Sequence, residues 1–356
     1  MDFSDTEEQR LIRTSAAELV RRLVPPERVR ALFAADAPAY CPDLWRGLAE
    51  AGYLGTLVPG DGGGAGLGFV EMGCVLEALG GVLASGPYLS SSVVAVEALR
   101  LAADEEQQGQ WLPAIASGEK VLCPMIDDQT GGGFAPVAYA HTADALLVAS
   151  GGHLHIVDPT AVGVAIDEFP SLDPTRHFAA VAVSSAALAA AARLAGPIDA
   201  AMTARLMAVG AAATAAEMLG VASRAHELAC AYAKERQQFG KPIGSFQAIK
   251  HLLADQRVAL EGARSAVYAA LWALDGDPAG ATVAAAVAKT AMSEVALRIG
   301  AEAIQVHGGM GFTDEVDAHL YLKRAQMDAM AYGTSDHHGR LLAERLRDLA
   351  QWTRLT

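Results

Sequence analysis

The chain is 356 residues long with a formal charge of −14, and 52% of it is hydrophobic although aromatics make up 6%. That length accommodates two or three packed units, and the alanine-heavy apolar content favours closely packed helices. The acidic balance argues against nucleic acid or an anionic membrane surface as partner. Cys41, Cys74, Cys123 and Cys230 are scattered without a C-x-x-C pair, which is the usage of reduced, mostly buried thiols in a cytoplasmic protein. The opening Met1-Asp2-Phe3-Ser4-Asp5 is acidic and polar, so no secretory leader is expected. Apolar runs such as Ala208–Ala216 are too short to span a bilayer, and charges interrupt the longer ones.

Residues 1–120 read as helices. Ser4-Asp5-Thr6-Glu7-Glu8 supplies cap residues and acids for a first turn, with Phe3 placed to staple it, and apolar positions then recur at helical spacing up to Pro25-Pro26. Pro42–Ala51 opens on Pro42-Asp43 and stops at Gly52. The run Val58-Pro59-Gly60-Asp61-Gly62-Gly63-Gly64-Ala65-Gly66 lacks the lysine and the strand–loop–helix setting of a phosphate loop, so it reads as a plain turn. Phe69–Leu79, Ser90–Leu101 and Glu105–Ile115 are the next helical segments. Over 121–195 the helical period fades. Ala135–Tyr139, Ala145–Val148, Leu154–Val157, Val162–Ile166 and Ala179–Val183 are short strand-like runs separated by turn residues, a small antiparallel β domain. From 196 to 356 the pattern is helical again, in segments near Met202–Arg236, Phe246–Asp275, Ala281–Val306, Glu315–Ala331 and Ser335–Trp352, enough for an antiparallel bundle. The fold class is therefore mainly α with a small middle β domain.

Two stretches carry chemistry. Arg236-Gln237-Gln238-Phe239-Gly240-Lys241-Pro242 interrupts the bundle helices, with Gly240 and Pro242 as helix-stopping residues. Arg236 beside the end of a helix also suits a purely structural role against the helix dipole. Gln305-Val306-His307-Gly308-Gly309-Met310-Gly311-Phe312 closes another alanine-rich helix. Arginine, glutamine, an aromatic ring and a Gly-Gly turn that admits close backbone approach together suit a dinucleotide pyrophosphate and adenine. His307 and the pair His337-His338 lack the spacing of a closed zinc site, and no metal is assigned.

The run R-Q-Q-F-G-K-P-I-G-S-F-Q followed by Q-V-H-G-G-M-G-F resembles the acyl-CoA dehydrogenases, flavoenzymes that oxidise acyl-CoA thioesters to 2-enoyl-CoA. The resemblance implies FAD as cofactor, acyl-CoA as substrate and an electron-transfer flavoprotein as acceptor. It implies that Arg236, Gln238 and Phe239 contact the pyrophosphate and adenine, and that Gln305, Gly308 and Gly309 line the adenosine end, reaching across a dimer into FAD held mainly by the neighbouring subunit.

The family reaction removes an α-proton and a β-hydride together, which requires a carboxylate base as well as the flavin. Most members carry that base directly before a Gly-Thr pair, where this chain has Tyr332 before Gly333-Thr334. A minority carry it early in the helix leading to the arginine motif, where counting gives Gly210. Glu217 and Asp336 lie nearby and are better read as a helix-pairing carboxylate and a helix N-terminal acid. No catalytic residue is assigned. The Thr-Glu-Pro turn that members place over the flavin is also missing from 124–133, and none of Trp45, Trp111, Trp272 and Trp352 falls in the β domain. What persists is what a subunit gives to its neighbour's cofactor. This pattern resembles the helper subunit of actinobacterial α2β2 acyl-CoA dehydrogenases. A self-sufficient dehydrogenase with a displaced base, acting as a homo-oligomer, and a non-catalytic scaffold of the same fold are the alternatives.

Overall fold

The computed structural model describes residues 5–32, 38–126 and 136–352. The chain forms two compact units: a mixed unit of Ile12–Val75 and Ala84–Gly210, and a helical unit built from Leu76–Leu83 and everything from Ala211 onward, with the start of the first helix.

Helices come first, as the periodicity predicts. They are α1 (Glu7–Leu23), α2 (Pro26–Ala31), α3 (Pro42–Glu50), α4 (Phe69–Gly81), α5 (Val96–Ala102) and α6 (Glu105–Ala116), with a buried π-helical stretch, Tyr88–Ala95, running into α5. Thr6 and Gln9 cap α1 reciprocally, each side chain accepting from the other's backbone amide at 3.1 and 3.0 Å. The expected roles of Phe3 and Ser4 fall outside the described residues. The glycine-rich run consumes its own amides: Gly64 N donates to Pro59 O, Ala65 N to Gly55 O and Gly66 N to Val58 O, all at 2.8–3.1 Å. Those amides are not left to cradle an anion, which agrees with a plain turn.

The β region holds two sheets, β1 (Leu122–Met125), β3 (Ala145–Ser150), β4 (His153–Val157) and β7 (Ala192–Pro197) in one, and β2 (Pro136–Ala138), β6 (Phe178–Val183) and β5 (Val164–Phe169) in the other. All ladders are antiparallel except β1 with β3. The sequence pattern missed β1 and β7, which carry little β-branched character, and the short α7 (Ser185–Ala190), capped by Ser184. Gln107 at the start of α6 satisfies the outer edge of β7, donating to Arg193 O at 2.9 Å and accepting from Ala195 N at 3.1 Å.

The helical unit takes its helices where the sequence places them: α8 (Ala200–Glu235), whose first turns lie in the mixed unit, then α9 (Gln247–Gly276), α10 (Pro278–His307), α11 (Ala318–Met330) and α12 (Ser335–Trp352). Asp277 caps α10 with Pro278 at its first position, so α9 and α10 fold back as a tight hairpin. By length and composition α8 qualifies as a bilayer-crossing helix, which the short apolar runs did not suggest. Its apolar window is 89% buried in the protein, as expected of a core helix.

The last turn of α4 crosses α8 at very short range. A Cβ on Gly80 would meet the Glu217 carbonyl, and one on Gly220 would meet the Glu77 carbonyl. Two ion pairs flank the crossing: Glu77 with Arg264 at 2.7 Å, supported by Tyr268 Oη at 2.8 Å, and buried Glu217 with buried Arg324 at 2.9 Å. Arg324 also donates to Leu83 O at 3.3 Å, which holds the end of α4 to α11.

Gly220→Ala is expected to cost about 1–3 kcal/mol or more through overpacking, because backbone must move. Gly262→Ala, on the open face of α9 with nothing within 4 Å, is expected to gain about 0.5–1 kcal/mol. Urea midpoints of both variants check the pair of signs.

Candidate functional site

Both motif stretches lie in the helical unit. The chain leaves α8 at Arg236 and forms a two-residue hairpin, with β8 (Gln237–Gln238) pairing β9 (Lys241–Pro242). Its two loop residues, Phe239 and Gly240, have φ of +52° and +75°. Positive φ at both positions is the type I′ arrangement that matches strand twist. Glycine adopts it freely, whereas an aromatic residue there is strained. Phe239 is nevertheless 91% exposed. It touches Phe246 edge-on, with ring centroids 6.1 Å apart, and Lys241 Nζ lies over the Phe246 ring, 4.5 Å from its centre. Arg236 is exposed, its backbone carbonyl accepts from Ile243 N at 2.8 Å, and among the described residues its guanidinium has no partner.

The second stretch ends α10. Gly308 has φ +62° and ψ −139°, a conformation reserved for glycine. A Cβ on Gly308 or Gly309 would meet nothing within 4 Å, so the turn presents bare backbone to open space. Gln305 and Phe312 are exposed beside it. Gly311, by contrast, is required for packing, since its Cβ would lie 2.6 Å from Ile304 O.

His307 joins the two stretches. Its Nδ1 donates to Ala303 O at 2.7 Å, and its ring packs on Tyr232, one turn before Arg236, with centroids 4.4 Å apart. Deeper in the bundle, His226 pairs with Gln256 at 2.9 Å, and Gln256 donates to Glu302 at 2.9 Å, a polar chain across α8, α9 and α10. His307 is thus a packing residue that fixes the Gly-Gly turn against the base of the hairpin. The residue set fits a dinucleotide: a cation without a partner among the described residues, an exposed ring, amide side chains and a glycine turn with room above it.

The stretch at the family's base position is built differently. Tyr332 and Gly333 have φ of +50° and +98°. Buried Lys289 donates to Ala329 O and Gly333 O, both at 3.1 Å, pinning this turn to the end of α11. Burial pushes Lys289 down to about 8, with Asp328 opposing. His338 Nε2 donates to Tyr332 O at 3.0 Å, and burial, together with the charges of Lys289 and His337, holds its imidazole down at about 4. Sequence reasoning missed Lys289; a lysine within the alanine-rich face of α10 was the available signal. Asp336 is exposed in the first turn of α12. Glu217 is held by Arg324. Gly210 is buried. The 127–133 part of the expected flavin-covering turn lies outside the described residues.

Residues 6–119 match the acyl-CoA dehydrogenase N-terminal domain and residues 198–347 the acyl-CoA dehydrogenase C-terminal domain. The acyl-CoA dehydrogenase IpdE2 of Mycolicibacterium smegmatis is 33% identical over 92% of this chain and 95% of its own length. A chain of the ChsE4-ChsE5 complex from Mycobacterium tuberculosis superposes with a TM-score of 0.88 at 29% identity, covering 98% of this chain and 99% of that one. A chain of the Tcur3481-Tcur3483 steroid ACAD superposes at 0.86 with 27% identity, covering 97% and 99%.

The His338 shift has a definite sign. Its folded pKa is below the unfolded value, so its neutral form is favoured by folding; stability from this group is complete above about pH 6.5 and declines as pH falls towards about 4. Thermal melts between about pH 7 and about pH 5 should show a smaller loss in His338→Asn than in the parent. Equal pH slopes would contradict a buried neutral His338.

Proposed function

This chain belongs to the acyl-CoA dehydrogenase family, and on that premise we propose that it completes the FAD site of a homologous catalytic subunit in a heteromeric acyl-CoA dehydrogenase. The observation that carries the proposal is the exposed, strained hairpin tip at Phe239, held beside the Gly308-Gly309 turn by Tyr232 and His307. Backbone strain of this kind persists where a ligand or partner uses it. Arg236 and Gln238 would hold the pyrophosphate, Phe239 the adenine face, and Gln305, Gly308 and Gly309 the adenosine end. FAD, when bound, accepts the β-hydride of the acyl-CoA.

The proton side of the reaction favours a helper role over a self-sufficient enzyme. Tyr332 stands where the family places its carboxylate base, so no carboxylate is available at that position. Glu217 is committed to Arg324, and moving it would strand a buried cation. The catalytic partner therefore supplies the base. Similarity to a chain of the two-component ChsE4-ChsE5 complex supports a heteromer, similarity to IpdE2 supports an acyl-CoA as the substrate of the assembly, and similarity to the steroid ACAD supports a bulky acyl group on it. Phe239 and Phe312, 91% and 79% exposed in the single chain, would be covered on assembly.

The test is flavin absorbance near 450 nm of the chain purified alone and co-expressed with its homologous neighbour. Flavin retained only by the complex supports the reading; flavin and turnover in the chain alone would replace it with the self-sufficient one.

Three substitutions sharpen this. Arg236→Ala removes a charge-assisted contact of roughly 1.5–3 kcal/mol, so FAD affinity of the complex should fall at least about tenfold at unchanged melting temperature of the isolated chain. Phe239→Asn relieves the turn, so the isolated chain should melt at the same temperature or higher while the complex loses flavin. Asp336→Asn should leave dye-coupled turnover of the complex within about threefold, since removal of a true general base costs about 10²–10⁴.

A further inference from the structure

The three-stranded sheet of the mixed unit gathers one metal-ligating side chain from each strand at a single end. His141 follows β2, His177 immediately precedes β6, and Glu168 is the penultimate residue of β5. The register explains the convergence. Ala138 and Phe169 both pair with Phe178, so the last residues of β2 and β5 flank the first residue of β6. Glu168 pairs with Ala179, and His177 lies two residues before Ala179 on the same face, which makes it a diagonal neighbour of Glu168. A short 3-10 turn, Ala140–Thr142, brings His141 over the same end.

One ligand atom from each of the three residues lies within 4.8 Å of the other two. The imidazoles are 5.4 Å apart by ring centroid. His141 Nδ1 and Nε2 and His177 Nε2 are buried without a hydrogen-bond partner. Glu168 Oε1 approaches His141 Nδ1 to 2.7 Å without the in-line geometry of a hydrogen bond. A buried imidazole nitrogen without a partner is costly, and here the costs are concentrated at one point. Burial pushes both histidines down, with Glu168 opposing, so the neutral form that ligates metal is favoured.

We infer that His141, His177 and Glu168 form a binding site for a divalent transition metal of the zinc class. Two imidazole nitrogens and one carboxylate oxygen suit zinc and its first-row neighbours and disfavour calcium or magnesium, which take oxygen ligands. Ligand atoms on a metal at about 2.0–2.1 Å stand about 2.9–3.3 Å apart, so the cluster would tighten by side-chain rotation on binding. Three protein ligands leave a position for water. The metal would clamp β2, β5 and β6 together. The site involves no residue of the FAD half-site, and its fate is independent of the helper role.

The test uses the full, tag-free chain after chelator dialysis. Zinc titration should show one saturable site per chain with a dissociation constant in the micromolar range or tighter, and a higher melting temperature. Cobalt in place of zinc should give visible ligand-field bands of a nitrogen–oxygen site, a readout that needs no variant. Affinity should fall at least about tenfold in His141→Ala and in His177→Ala and less in Glu168→Gln, while His337→Ala binds as the parent does. Binding that survives in the double variant His141→Ala, His177→Ala, or the absence of saturable binding and of cobalt bands in the parent, would overturn the site.

Discussion

The helical unit depends on a backbone-to-backbone approach. Where α4 ends against α8, Gly80 and Gly220 each face a carbonyl of the opposite helix, and no side chain fits at either position. Close approach brings Glu77 and Glu217 into the interior, where a bare carboxylate is unaffordable. Arg264 and Arg324 answer from α9 and α11. The glycines set the distance, and the distance makes the ion pairs necessary. A buried pair of this kind adds little net stability against a hydrophobic replacement, but losing one member is expensive. It therefore acts as a registration device, admitting one alignment of four helical elements.

That alignment is what a surface site needs. The hairpin at Arg236 and the turn at Gly308 belong to different helices, and their relative position is inherited from the packing beneath them. Tyr232 on His307 is the last contact of that chain of support, with His226, Gln256 and Glu302 below it. Arg264 and Arg324, within the unit, are each paired with a carboxylate. Arg236, outside, has none among the described residues, and its hairpin holds an aromatic residue in a conformation that asparagine or glycine would adopt at less cost.

Much of this was legible in the residues. Long helices with an alanine-rich 3.6-residue period announce themselves, and the five bundle helices begin and end within a few residues of their expected places because proline, glycine and aspartate mark the ends. The order of the two motifs identified the family. Other features were not legible, for physical reasons. β1 and β7 pair through backbone, and their side chains carry no clear alternation. The strain at Phe239 and Tyr332 is a property of φ, which composition does not reveal. Lys289 stands out only as a lysine in an alanine-rich helix until the turn it pins is seen around it. His141 lies far along the chain from Glu168 and His177, and the register of three strands brings them together.

Preorganisation connects the strain to the proposed role. A flexible loop that met a cofactor would lose conformational freedom on binding, and that loss would subtract from affinity. A rigid hairpin bears the cost during folding, so its contacts with the dinucleotide are realised almost in full. On the proposed reading the cofactor then touches two chains at once. FAD bound by both stabilises the assembly over the separated subunits, and the assembly binds FAD more tightly than either subunit, by the same factor. On that reading a subunit without a base remains essential to the chemistry, its arginine and its glycine turn acting through the equilibrium that keeps the flavin and the catalytic chain together.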